Sequence, residues 1–142
     1  MRAYELRQTL VRGAKSSLPP AKITYVTERR IWILEETYRY TDDAGFTITI
    51  REGFEFDLSS VPRTIWPIIA PFELSVVAPL IHDFIYHYRG KLPADSIQPQ
   101  RIFSRAETDL LFKKIMDLEK VDAWRSTAAY RAVRTFGWIY WH

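Results

Sequence analysis

Hydrophobic and polar residues alternate along the first half of the chain in the manner of β-strands. Glycine tolerates positive φ and aspartate can accept from its own backbone, so Asp42-Asp43-Ala44-Gly45 predicts a hairpin turn. A further run from Phe54 reads as a strand that stops in a polar loop reaching Arg63. We therefore expect a small antiparallel sheet. The β-branched and aromatic runs that predict its other strands are 23–27, 31–34, 37–40 and 46–50.

The second half of the chain changes to helical spacing. Residues 73 to about 89 predict a helix in which Pro79 either lies in the first turn or causes a kink. Residues 90–103 predict a long loop. A capping box of Ser104 and Glu107 predicts the start of the next helix. Asp122 is expected to cap a last helix that runs to the aromatic end of the chain. We expect this aromatic end to be docked on the rest of the domain. The residues expected to carry the helix after Ser104 into the core are Leu110, Leu111, Ile115 and Leu118.

These elements predict an α+β fold, with a small antiparallel sheet in the N-terminal half packed against about three helices in the C-terminal half. At 142 residues the chain fits one domain. The net charge of +3 is concentrated in residues 1–22, which carry five cations and one carboxylate. We expect residues 1–20 to form a basic arm and residues 21–142 a single domain.

Composition narrows the possible functions. The chain has no cysteine, which excludes disulfides, thiolate metal sites and a cysteine nucleophile. No apolar run is long enough to predict a membrane span or a signal peptide. The basic arm could touch nucleic acid or an acidic partner, but no nucleic-acid-binding motif accompanies it, so we do not expect nucleic acid as the partner.

Two polar groups interrupt apolar surroundings and are the candidate functional residues. Asp57-Leu58-Ser59-Ser60 follows a predicted strand, and His82-Asp83 lies within an apolar predicted helix that also places Tyr86 on the face of His82. Burial without partners would cost several kcal/mol, so we expect these groups to pair with each other or with Asp109 on the next helix. An aspartate on one imidazole nitrogen fixes the tautomer and leaves the other nitrogen as a base or ligand. A purely structural network is an equally open reading.

Three motifs in order resemble a family of small phage and prophage proteins of unassigned function. The first is Phe-x-x-Asp-Leu-x-Ser-Val-Pro-Arg, which matches Phe54 through Arg63. The second is His-Asp-x-x-Tyr at His82, and the third is Arg-x-x-x-Asp-x-x-Phe from Arg105 through Asp109 to Phe112. The resemblance spans roughly residues 21–138. The resemblance implies a phage protein whose partners are other phage proteins. It also implies that the chain is made in the host cytoplasm, from which it could be incorporated into the virion.

The His-Asp-x-x-Tyr pattern is also similar to that of secreted and bacterial phospholipases A2. That similarity implies His82 as the general base, Tyr86 and Asp109 as the groups that hold its imidazole, and Asp83 as a Ca²⁺ ligand. Asp57 and the Ser59-Ser60 backbone would have to replace the glycine-rich calcium loop, which this sequence lacks.

The sequence leaves three hypotheses. The first is a phage structural or assembly protein, such as a tail or baseplate component, whose His-Asp cluster locks the fold. The second is a small metal-assisted hydrolase, esterase- or phospholipase-like, and the third is an inhibitor of a host protein. Arg63 and Arg105 could clamp an anion or make internal bonds. Neither Ser59 nor Ser60 lies in a nucleophile elbow, which argues against serine catalysis.

Overall fold

The structure, a computed structural model, describes residues 18–57 and 76–141. It has the expected α+β arrangement, with strands in the N-terminal half and three helices in the C-terminal half. Predictions for residues 1–17, for the loop and apolar segment at 58–75, and for His142 lie outside the described residues. The single-domain assignment therefore stays a prediction.

Within the described residues, six short strands form two antiparallel sheets of three strands, where the sequence predicted one sheet. In the first sheet, β2 (Ile31–Leu34) lies between β1 (Ile23–Val26) and β5 (Glu55–Phe56). In the second, β4 (Thr47–Ile50) lies between β3 (Tyr38–Thr41) and β6 (Ile97–Gln98). The predicted loop at 90–103 thus contains the strand that completes the second sheet.

The hairpin turn between β3 and β4 has the predicted chemistry. The Asp42 carboxylate accepts from the Ala44 amide at 2.9 Å, and the Gly45 amide donates to the Asp42 carbonyl at 3.1 Å. Gly45 has φ of +97°, a left-handed conformation that glycine adopts without a Cβ clash. Thr41 and Thr47 then pair across the strands, which fixes the register of the hairpin.

The first helix, α1, spans Val77–His87 and is buried along nearly its whole length. Pro79 lies in its first turn, one of the two placements that the sequence allowed. The second helix, α2, spans Arg105–Leu118, and the predicted capping box is present at its start. Ser104 Oγ accepts from the Glu107 amide at 3.0 Å, and Glu107 Oε1 accepts from the Ser104 amide at 2.9 Å.

Leu110 was wrongly assigned to the core, because its side chain is 56% exposed. The buried face of α2 runs through Leu111, Ile115 and Met116, and Leu118 is only half-buried. Successive residues in a helix are separated by about 100°, so Leu110 points away from the face that contains Leu111 and Ile115.

The third helix, α3, spans Ala123–Phe136 and continues as a short 3₁₀ segment, Gly137–Tyr140, rather than as α-helix to the end. Asp122 is its N-cap residue, but its side chain makes no cap bond and lies 3.6 Å from Arg125 instead. The docking predicted for the aromatic end holds for Trp141, which packs on the core, whereas Trp138, Ile139 and Tyr140 are exposed.

Buried residues of both sheets and all three helices form one hydrophobic cluster. Helix α2 packs against both α1 and α3. This central position brings side chains from all three helices to a single point on α2. No helix in the described ranges is long and apolar enough to cross a membrane.

Candidate functional site

The carboxylate of Asp109 is the centre of the candidate site. Asp109 lies on α2 with its side chain fully buried. Its Oδ1 atom lies 2.8 Å from His82 Nε2 and accepts from the Tyr86 hydroxyl at 2.6 Å. Its Oδ2 atom accepts from Arg134 at 2.9 Å and from Arg105 at 3.3 Å. Four side chains from three helices therefore converge on one carboxylate.

Helical spacing accounts for three of these contacts. His82 and Tyr86 are four residues apart on α1, so they share a face, and their rings lie 4.2 Å apart. Arg105 and Asp109 are four residues apart on α2 and meet in the same way. Phe112, one turn further along α2, packs its ring 4.5 Å from that of His82. The structure therefore brings His82, Tyr86 and Asp109 together, and Arg105 makes an internal bond to the same carboxylate.

The cluster sets the protonation of its members. The pKa of His82 is lowered by burial, which disfavours the charged imidazolium. The pKa of Asp109 is also lowered, because the hydrogen bonds that it accepts from His82, Tyr86 and Arg134 outweigh the opposing effect of burial. An ionised carboxylate can only accept, so the neutral imidazole carries its proton on Nε2. The pKa of Tyr86 is raised, first by burial and then by Asp109, which keeps the hydroxyl as a donor.

The same cluster fixes the C-terminal end of α3. Arg105 donates to the backbone carbonyls of Val133 at 3.0 Å and Arg134 at 3.2 Å, which lie in the last turn of α3. The ring of Trp141 packs edge-on against Tyr86, with centroids 4.9 Å apart. Gly137 makes room for this arrangement, since a Cβ there would lie 2.6 Å from the Tyr86 hydroxyl.

Two charged residues that join the helices were missed in the sequence analysis. Arg134 lies on α3, and only the packing of α3 on α2 reveals its bond to Asp109. Glu119 is buried at the end of α2, where its carboxylate accepts from the amides of Val76, Val77 and Ala78 at the start of α1. A carboxylate stabilises the partial positive charge of a helix N-terminus. No local sequence pattern signals a cap that lies more than 40 residues away.

The residues proposed for metal binding are placed as follows. Asp83 is buried on α1, and Asp57 is exposed just after β5. Ser59, Ser60 and Arg63 lie outside the described residues, so their proposed roles stay predictions. Within residues 18–57 and 76–141, no group of three or more histidine, aspartate or glutamate side chains is arranged to hold a metal ion.

The fold and the cluster define a small α+β protein in which the three helices of the described residues are joined through one buried carboxylate. The chain belongs to the DUF1353 family, described as proteins of unknown function, whose model matches residues 32–133. This confirms the expectation of a family without an assigned activity, and the match includes every member of the Asp109 cluster except Arg134. Searches of curated proteins and of solved structures find no match.

Proposed function

We propose that the protein is a structural or assembly protein, and that the Asp109 cluster holds its helices in a fixed arrangement. The observation that carries the proposal is the set of four donors on one fully buried carboxylate. Each donor ties α2 either to a neighbouring helix or to its own preceding turn. A buried polar network whose members are all bonded favours one arrangement of the core over its alternatives.

The two arginines argue against His82 as a strong general base. In a catalytic pair, an aspartate supports the imidazolium that forms when the histidine takes up a proton. Here Arg105 and Arg134 already neutralise the Asp109 carboxylate, and the positive charge of Arg105 contributes to lowering the pKa of His82. The cluster is therefore better suited to stabilising a neutral imidazole than to accepting a proton.

The exposed residues at the end of α3 fit a protein that works through contacts. Trp138, Ile139 and Tyr140 are exposed although they adjoin the buried cluster. Large aromatic side chains of this kind are frequent among the residues that dominate binding at protein interfaces. The three sequence motifs favour a phage protein whose partners are other phage proteins. Such a protein is synthesised in the host cytoplasm and becomes part of a tail or baseplate.

A small hydrolase is the second candidate function, because the hydrogen bond of His82 holds its imidazole in a fixed position. The Nε2 atom is held by Asp109, and Tyr86 donates to the same carboxylate oxygen. This fixes the ring and the tautomer, as a histidine that activates water through Nδ1 requires. Asp83, and Asp57 from the strand end, are the carboxylates that would bind Ca²⁺ in this alternative.

Substitution of His82 separates the two functions. Glutamine can place its amide donor near the position of Nε2 but provides no base, whereas alanine removes both. We expect His82→Gln to keep most of the stability to urea that His82→Ala loses, and the wild type to leave phosphatidylcholine vesicles and p-nitrophenyl butyrate unhydrolysed with or without Ca²⁺. Hydrolysis by the wild type that disappears in a stably folded His82→Gln variant would establish the hydrolase and reject the structural proposal.

A further inference from the structure

Helix α3 is the least buried of the three helices in the described residues. Only Ser126, Ala129 and Val133 of its 14 residues are buried, whereas α1 buries ten of its 11 residues. These three side chains are small, and the large side chains of Trp124 and Phe136 on the same helix are exposed. Apolar burial stabilises a helix in proportion to the area removed from water, so it contributes less to α3 than to α1.

Polar bonds hold both ends of α3 against α2. Near the N-terminal end, the Ser126 hydroxyl donates to the Asp117 carboxylate at 2.7 Å. At the C-terminal end, Arg134 donates to Asp109 at 2.9 Å, and Arg105 donates to two carbonyls in the last turn of α3. The side chains of both arginines are partly exposed, so water can compete for these bonds.

The connection between α2 and α3 allows α3 to move without disturbing α2. Val121 is buried, and its amide donates to the carbonyl of Met116 on α2 at 3.0 Å. The next residue, Asp122, is exposed, and its side chain makes no cap bond to α3. Hinges are a few residues at the ends of elements that absorb a change in backbone angles. A rotation at Asp122 would therefore carry α3 away and leave Val121 in place.

The C-terminal end of α3 and the 3₁₀ segment after it cover one side of the Asp109 cluster. Arg134 lies on Oδ2 of Asp109, Gly137 lies against the Tyr86 hydroxyl, and the Trp141 ring packs on Tyr86. Asp109 and Tyr86 are both buried in this arrangement. Movement of α3 away from α2 would remove all three contacts from the cluster.

We propose that residues 123–141 form a lid, which opens as one unit about Asp122 while both sheets, α1 and α2 stay folded. In the open state the contacts of the lid with Asp109 and Tyr86 are broken, so the carboxylate becomes accessible from this side. The inference rests on the proposed holding role of the Asp109 cluster. It adds that the bonds made by Arg105 and Arg134 set how often the lid opens.

Native-state hydrogen exchange of the full chain, followed residue by residue by NMR, tests the proposal. Isolated helices shorter than about 12–15 residues are only marginally stable in water, so α3 should lose its hydrogen bonds while the lid is open. After correction for intrinsic rates, amides 127–136 should exchange at least about tenfold faster than those in the middle of α1 and α2. Low urea concentrations should accelerate them little, because the opening exposes less surface than global unfolding. Equal protection and equal urea dependence in all three helices would overturn the lid.

Two variants distinguish a lid from fraying of the helix ends. Arg134→Met removes the bond to Asp109, and Ser126→Ala removes the bond to Asp117. Exchange should accelerate along the whole of α3, by about tenfold or more for Arg134→Met and about threefold or more for Ser126→Ala. Arg131→Met is the matched control, because Arg131 is exposed on the same helix and its loss should change no rate by more than about twofold. Acceleration of only the end that each variant touches would indicate fraying and overturn the proposal.

A variant in the second sheet separates local opening from global unfolding. Ile48 lies on β4 with a fully buried side chain, and opening of the lid leaves this strand folded. Ile48→Val should therefore accelerate the slowest amides of α1 and α2, which exchange through global unfolding, by about threefold or more. The amides of α3 should keep their rates. If α3 accelerates by the same factor as α1, it opens only when the whole protein unfolds, and the proposal is wrong.

Failure of this inference and failure of the proposed function can be told apart. If α3 exchanges only by global unfolding, while His82→Gln retains its stability and the wild type shows no hydrolysis, only the lid is rejected. Hydrolysis that depends on His82 rejects the assembly function, whether or not α3 opens.

Discussion

The substitution Asp109→Asn tests the central claim that one carboxylate holds three helices together. The asparagine side chain keeps one acceptor oxygen, but the atom at the second position becomes an amide nitrogen that faces the donors of Arg105 and Arg134. Breaking a buried ion pair on one side costs about 3–5 kcal/mol, because the remaining charges lose their partner. The side chains of Arg105 and Arg134 are only 20% and 34% exposed, so water replaces only part of the lost interaction.

We expect urea unfolding to report this loss as a lower midpoint at an unchanged slope. A loss of about 3–5 kcal/mol is a large part of the roughly 5–15 kcal/mol that stabilises a typical domain. Asp95→Asn is the control, because Asp95 makes an exposed pair with Arg51 and should cost less than about 1 kcal/mol. If both variants lose the same small amount, the cluster does not stabilise the fold and the structural argument fails.

The cluster and its surroundings support three more predictions. The pKa values of His82 and Asp109 are lower in the folded protein than in the unfolded chain, so the unfolded chain binds protons more readily. The free energy of unfolding, measured with urea, should therefore be highest above about pH 7 and fall as the pH drops below about 6.5. A free energy that does not change with pH would contradict a neutral His82. Gly137→Ala should lower the free energy of unfolding by about 1–3 kcal/mol, because its Cβ clashes with the Tyr86 hydroxyl. The loss should be smaller in a Tyr86→Phe protein, which lacks that hydroxyl, and equal losses in the two proteins would exclude the clash. Ser104→Ala should cost about 1 kcal/mol in the same assay, and no loss would mean that the capping box does not stabilise α2.

Features that depend on neighbouring residues were predictable from the sequence. The hairpin at Asp42 and the capping box at Ser104 each involve residues within four positions, so their chemistry is readable without the fold. The shared face of His82 and Tyr86 followed from helical spacing, and Asp109 was the acidic residue expected on the next helix. These local rules predicted most of the cluster.

Features that depend on how elements pack were not predictable. Strand β6 contains two residues, too few for an alternating pattern, and only its pairing with β4 defines it. Helical periodicity predicted an apolar face for α2 but not the rotation of the helix about its axis, so Leu110 was assigned to the core although its side chain is exposed. Arg134 had the polar appearance of a solvent-exposed helix position, and its bond to Asp109 exists only because α3 packs on α2.

The attachment of α3 connects the buried cluster to the surface. This helix buries only the side chains of Ser126, Ala129 and Val133, which are small and remove little apolar area from water. Its position therefore depends also on polar contacts at its C-terminal end, where Arg105 and Arg134 meet Asp109 and the last carbonyls of the helix. The same end carries the exposed side chains of Phe136, Trp138, Ile139 and Tyr140. A carboxylate that holds this end in place also fixes the orientation of these exposed side chains, and this is the contribution that the buried cluster would make to the assembly function that we propose.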